Sequence, residues 1–123
     1  MKTAILGTAV FAGVLFGAAS RPLLERAPPS YAERQNPLEN LAAATKAGEK
    51  LYRRECSSCH GKQAQGSTRA PSLNSPAIRR APDGAIFWVL RNGSLRHGMP
   101  SFAHLPEPER WQIIAYLRTA TGS

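Results

Sequence analysis

The spacing of apolar positions divides the chain into one uninterrupted apolar run, one stretch without a period, and three helical stripes. The run is Thr3 to Ala19, seventeen residues without a charge, built mostly of Ala, Val, Leu, Ile, Phe and Gly between Lys2 and Arg21. It is longer than the ~7–15 residues of a signal-peptide apolar region and shorter than the ~20 of a membrane span. Gly17-Ala18-Ala19-Ser20 supplies small residues suited to a signal-peptidase cut. A buried core helix is the bland reading, and its place at the N-terminus behind a lysine weighs against that. Residues 1–19 are expected to be a signal peptide or an N-terminal membrane anchor, and both export the rest of the chain.

Residues 20–43 carry Pro22, Pro28, Pro29 and Pro37 among Arg, Glu, Ser and Asn. Proline fixes φ and lacks an amide donor, so neither a long helix nor a central strand fits. The stretch reads as a semi-extended linker, with a short helical turn within Leu38–Ala44.

Three helices are predicted beyond it. The first runs from about Thr45 to Cys56, with Ala44, Ala47, Gly48, Leu51 and Tyr52 on one face. Gly48 costs about 1 kcal/mol relative to Ala in a helix interior, which points to close approach by another helix. The second runs from about Asp83 to Arg91, with Asp83 as N-cap, Asn92-Gly93 as stop signal and an Ile86, Val89, Leu90 stripe. The third runs from about Glu107 to Thr119, with Pro108 in the first turn and Ile113, Ile114 and Leu117 as its stripe. No segment alternates as a strand. The loops 61–81 and 93–106 are long for so short a chain, and loops of that length signal function or disorder. A core this thin calls for a staple such as a metal or cofactor.

Composition narrows the classes. The chain has 123 residues, two cysteines and a net charge of +8, which excludes a multidomain enzyme, a disulfide scaffold and a polytopic membrane protein. A +7 balance belongs to residues 45–123 alone. Such basicity is compatible with nucleic acid, but export removes that partner.

The staple is Cys56-Ser57-Ser58-Cys59-His60. This is the C-x-x-C-H pattern of covalent c-type haem attachment. Two thiols with two residues between them reach one edge of a porphyrin and form thioethers with its vinyl groups, and the adjacent imidazole falls beneath the iron. Gly61 frees the backbone to leave the helix. A thioredoxin-like dithiol would need a βαβ context, and a structural zinc site would need a second ligand pair; neither is visible. A plain disulfide remains as the bland alternative.

The second axial ligand is expected to be Met99, in Arg96-His97-Gly98-Met99-Pro100. A thioether opposite imidazole favours ferrous iron and raises the potential. A lone Met is more often core filler, but this one sits between Gly and Pro in a loop. His97 and His104 are the competing ligands, and an open sixth position would give a five-coordinate haem protein with peroxidase-like or gas-binding activity.

These residues together resemble a class I mono-haem cytochrome c over about the last eighty positions. The matching features are Gly48, Leu51 and Tyr52 before the Cys56–Gly61 motif, Ala70-Pro71-Ser72-Leu73, Asn92-Gly93, Gly98-Met99-Pro100-Ser101-Phe102 and Ile114-Ala115-Tyr116-Leu117. The resemblance implies an all-α small cytochrome c fold, with three main helices and long loops around one covalently bound haem c. It implies that the first and last helices cross with Gly48 against Tyr116, and that the Pro71 carbonyl accepts a hydrogen bond from the His60 imidazole. It implies a pocket lined by Leu73, Ile86, Leu90 and Phe102. The expected function is single-electron transfer, not catalysis, by a domain of residues 44–123. It would sit in the periplasm, or on the outer face of the cytoplasmic membrane with attachment through residues 3–19. Arg69, Arg79, Arg80, Arg91 and Arg96 flank the two loops and are expected to steer redox protein partners with acidic docking surfaces.

Overall fold

All three expected helices form, and the first and last carry the central packing. The computed structural model describes Ala4 and residues 21–122, so the expected signal or anchor segment lies, Ala4 apart, outside the described residues. Six helices occur among them: α1 Pro29–Ala32, α2 Ala42–Glu55, α3 Ser57–His60, α4 Pro76–Arg80, α5 Asp83–Asn92 and α6 Glu107–Ala120, with 3-10 turns at Leu23–Arg26 and Leu95–His97. Among the described residues the non-helical pairing is an isolated antiparallel bridge, Ser94 with Met99. No helix there is long and apolar enough to cross a membrane.

Helix α2 starts three residues before the expected Thr45 and ends at Cys56, where φ of −119° interrupts the helix before α3. It buries Ala44, Gly48, Leu51 and Tyr52, the face that the spacing picked out. That face lies across α6, which buries Trp111, Ile113, Ile114, Ala115 and Leu117. Gly48 makes the crossing possible. A Cβ there would overlap the Gln112 carbonyl oxygen and come within 3.0 Å of the Tyr116 Cβ. The glycine thus meets α6 backbone first and Tyr116 by its Cβ, while the Tyr116 ring pairs with that of Tyr52 at 5.3 Å.

Helix α5 is apolar on most sides, burying Gly84, Ala85, Ile86, Phe87, Val89 and Leu90, as an enclosed helix requires. Asp83 is not its N-cap. Pro82 holds that position without a side-chain bond, and Asp83 opens the helix. The Asp83 carboxylate instead accepts from Arg118 Nε at 2.7 Å, because a cation on the neighbouring helix outcompetes the local amides.

The proline-rich stretch, expected as a semi-extended linker, packs on the domain. Pro29 is the first residue of α1, where its missing N–H costs nothing. Tyr31 stacks on Phe87 at 6.4 Å, and Phe87 on Trp111 at 4.0 Å. The Arg34 guanidinium lies 4.8 Å from the Phe87 centroid and 5.3 Å from that of Trp111, and pairs with Glu107. Asn36 is buried; its Nδ2 donates to the Trp111 carbonyl at 3.0 Å and its Oδ1 accepts from the Leu38 amide. Gly84 admits this strap, since a Cβ there would overlap the Tyr31 carbonyl oxygen. Stacking and cation–π contacts hold it, so no helical period was needed.

This packing sets two expected outcomes. Gly48→Ala should destabilise the protein by about 3 kcal/mol, the upper end of ordinary overpacking because backbone must yield, read as a lower denaturant midpoint. The Arg34 hydrogen bond is the first cause that holds Glu107 below its usual value of 4.5. That contribution is present above the ordinary value and lost as pH falls through the lower, folded one. The midpoint difference between wild type and Glu107→Gln should therefore shrink as pH falls below the ordinary value of 4.5.

Candidate functional site

The C-x-x-C-H motif begins where α2 ends, so the α2–α6 crossing fixes where it points. Cys56 is 8% exposed within the apolar cluster, Cys59 is half-buried, and both thiols are free. Burial first, then the Glu55 and Cys59 charges, push the Cys56 thiol up to about 12, so it is a neutral thiol in apolar surroundings.

His60 ends α3, and its Nδ1 lies 2.9 Å from the Pro71 carbonyl oxygen. A carbonyl only accepts, so Nδ1 carries the proton and Nε2 keeps the lone pair. The acceptor loop is built around Ala64, which is 1% exposed and has a left-handed φ of 58°. Its carbonyl accepts from the Leu73 amide at 2.8 Å and from Ser72 Oγ at 3.2 Å.

Three carbonyls at and just beyond the end of α3 are engaged. Ser67 Oγ donates to Cys59 O at 2.6 Å, the Gly66 amide to His60 O at 2.7 Å, and the Tyr52 hydroxyl to Gly61 O at 2.6 Å. Burial is the first cause that raises Tyr52 to about 12, which keeps the phenol a donor. Sequence reading placed Tyr52 in the core and missed this bond. The available signal was a tyrosine on a buried face, since a buried phenol requires a partner. Arg118 was also missed. It donates to Ile78 O at 2.9 Å, to Ala81 O and to Asp83, and so ties the far end of the first loop to α6. Within that loop, Ser75 caps α4 by accepting from the Ile78 amide, with Pro76 as its first residue.

Met99 is half-buried and packs against the cluster that contains Cys56, Ile86, Leu90 and Phe102. Leu73 packs there as well, with Phe102 7% exposed. The Met99 segment is held by the reciprocal bonds Ser94 N to Met99 O at 2.9 Å and Met99 N to Ser94 O at 3.1 Å. His97 is exposed with Nδ1 on Ser94 Oγ at 2.7 Å, and His104 is exposed with its ring 6.0 Å from Phe102. The two competing imidazoles are thus on the surface while Met99 packs against the cluster. Among the described residues no three His, Cys, Asp or Glu side chains gather as a metal site. The donors fit a flat apolar ligand gripped by two thiols and one oriented imidazole, the chemistry of a covalently attached haem. Arg69, Arg79, Arg80, Arg91 and Arg96 are exposed; Arg79 is tied to Asn74, and Arg91 lies 5.9 Å from the Tyr31 centroid.

Comparison with known proteins gives the same picture. The family described as cytochrome c oxidase, cbb3-type, subunit III matches residues 43–117. The quinohemoprotein alcohol dehydrogenase ADH-IIG of Pseudomonas putida is 35% identical over 96 residues. The match covers 77% of this chain but only 13% of that protein's length. Cytochrome cL from Methylophaga aminisulfidivorans superposes with a TM-score of 0.62 at 27% identity, over 85% of this chain and 71% of that one. The c-type cytochrome XoxG from Methylobacterium extorquens gives 0.55 at 27% identity, over 63% and 50%.

Gly93 governs the Met99 segment, with a left-handed φ of 68° and room for a Cβ only 2.6 Å from the Pro100 carbonyl carbon. Gly93→Ala should cost about 1–3 kcal/mol and speed amide hydrogen exchange at Met99 more than within α2.

Proposed function

The chain belongs to the family of the cbb3-type cytochrome c oxidase subunit III, and on that premise we propose that it passes single electrons between redox proteins through an iron held by His60 and Met99. It is a class I mono-haem cytochrome c, an electron carrier and not an enzyme, with covalently bound haem c. The observation that carries the ligand assignment is the His60–Pro71 hydrogen bond, which orients the imidazole and leaves Nε2 for the metal.

Haem supplies a one-electron ferric/ferrous couple. The chain's own residues determine how that couple is held and reached. Cys56 and Cys59 anchor the ring at the end of α2. The Pro71 carbonyl fixes the His60 tautomer and makes its imidazole a stronger donor. Met99, carried on a paired loop, presents a soft thioether that favours the reduced state. Leu73, Ile86, Leu90 and Phe102 exclude water and keep the surroundings apolar. With His60 and Met99 both holding the iron there would be no place for substrate, and little rearrangement would accompany the change of charge.

Residues 44–123 are the cytochrome domain in this reading. Residues 1–19 export it as a signal peptide or anchor, to the periplasm or the outer face of the cytoplasmic membrane. The uncharged Thr3–Ala19 run behind Lys2 supports that location. A dehydrogenase is the donor class favoured by the likeness to the Pseudomonas putida alcohol dehydrogenase. Arg69, Arg80 and Arg96 are exposed and would speed encounter with an acidic docking surface, an effect weakened by salt.

Mass measurement of the native protein tests attachment and N-terminal processing together: one haem added through two thioethers is expected, and a haem-free mass overturns the reading. Met99→Ala should lower the reduction potential by on the order of 0.1 V, within the roughly 0.8 V range set by axial ligands, and should let carbon monoxide bind the reduced protein. An unchanged spectrum in that variant would transfer the ligand role to His97 or His104.

A further inference from the structure

We propose that the Tyr52 hydroxyl is a positioning group for the His60 imidazole, setting through the Gly61–Ala64 turn the strength of the His60–Pro71 hydrogen bond and thereby the reduction potential. The proposal rests on the reading of His60 as an iron ligand.

Tyr52 is fully buried on α2, where phenylalanine would fill nearly the same volume. Its hydroxyl donates to the Gly61 carbonyl at 2.6 Å, and the Ala64 amide donates to the same oxygen at a longer 3.2 Å. Ala64 adopts the left-handed conformation at φ 58°. A non-glycine residue rarely does so unless its surroundings hold it there. From this turn the Ala64 carbonyl reaches the Leu73 amide and Ser72 Oγ. Those two residues come directly after Pro71, whose carbonyl accepts from His60 Nδ1.

The connections close a ring. Both the backbone just beyond His60 and the acceptor of its ring proton hang on the Gly61–Ala64 turn. The Tyr52 hydroxyl ties that turn to α2, the helix locked to α6 by Gly48. Without the hydroxyl, Gly61 O keeps only the longer bond from Ala64, and the left-handed turn loses a restraint. The Pro71 carbonyl is then held less firmly on Nδ1. A weaker bond there makes the imidazole less electron-donating. Ferric iron loses more stabilisation than ferrous, and the potential rises.

The test uses the full-length haem-loaded protein, wild type and variants. Covalent haem in the wild type is established first by mass; its absence overturns both this proposal and the reading on which it rests. Tyr52→Phe should raise the ferrous-to-ferric ratio about threefold at fixed poise, a shift of about 30 mV at 59 mV per tenfold for one electron. The His60 Nδ1 proton should also exchange faster by NMR. Tyr116→Phe removes the other hydroxyl of the same aromatic pair and should move neither reading. Ser72→Ala, at the far end of the ring, should shift the potential in the same direction by less. It decides the matter if Tyr52→Phe does not accumulate. An unchanged or lowered potential in Tyr52→Phe, with or without a lower unfolding midpoint, overturns the proposal. So does an equal shift in Tyr116→Phe, or no shift in Ser72→Ala where that variant decides.

Discussion

The close approach of α2 to α6 at Gly48 is the constraint from which the rest of the structure is built. A glycine in mid-helix gives up about 1 kcal/mol of propensity. In return, the α6 backbone comes within a distance that any Cβ would block. The crossing brings the buried faces of two fourteen-residue helices together. It also fixes the direction of the C-terminal end of α2, where Cys56, Cys59 and His60 emerge. The position of the reactive motif is therefore decided some eight residues earlier, by the absence of a side chain.

From that fixed point the site is held by hydrogen bonds more than by regular secondary structure. The carbonyls of Cys59, His60 and Gly61 all find donors, so the end of a one-turn helix is satisfied without a long helix to continue it. The same economy appears at the other end of the first loop, where Arg118 ties the carbonyls of Ile78 and Ala81 to α6. Long loops in so small a domain normally imply mobility. Here they are pinned at both ends, which suits a protein whose task requires that little moves when one electron arrives.

The docked N-terminal strap adds a second layer on the core. Arg34 spans Phe87 and Trp111 and pairs with Glu107, while Arg110 is buried against Phe87 with its Nε unpartnered among the described residues. The basic residues are thus divided between two uses. Some cover aromatic core, while Arg69, Arg80 and Arg96 remain exposed on the loops that bear the candidate ligands.

The three main helices, their buried faces and the C-x-x-C-H motif were legible in the sequence, because helical spacing and covalent attachment are local patterns. The sequence also singled out Met99 as the candidate partner of His60, because it offers no other methionine beyond the first residue. What the tertiary structure alone decided concerns groups far apart in the chain or lacking a period. The strap is one example: its prolines argued against regular structure, and its contacts to Phe87 and Trp111 span fifty residues or more. The roles of Tyr52 and Arg118 are another, since a hydroxyl or guanidinium has no pattern until its acceptor is placed beside it. Spacing along the chain records which face a residue takes, while the partner of a polar group is chosen by distance in space.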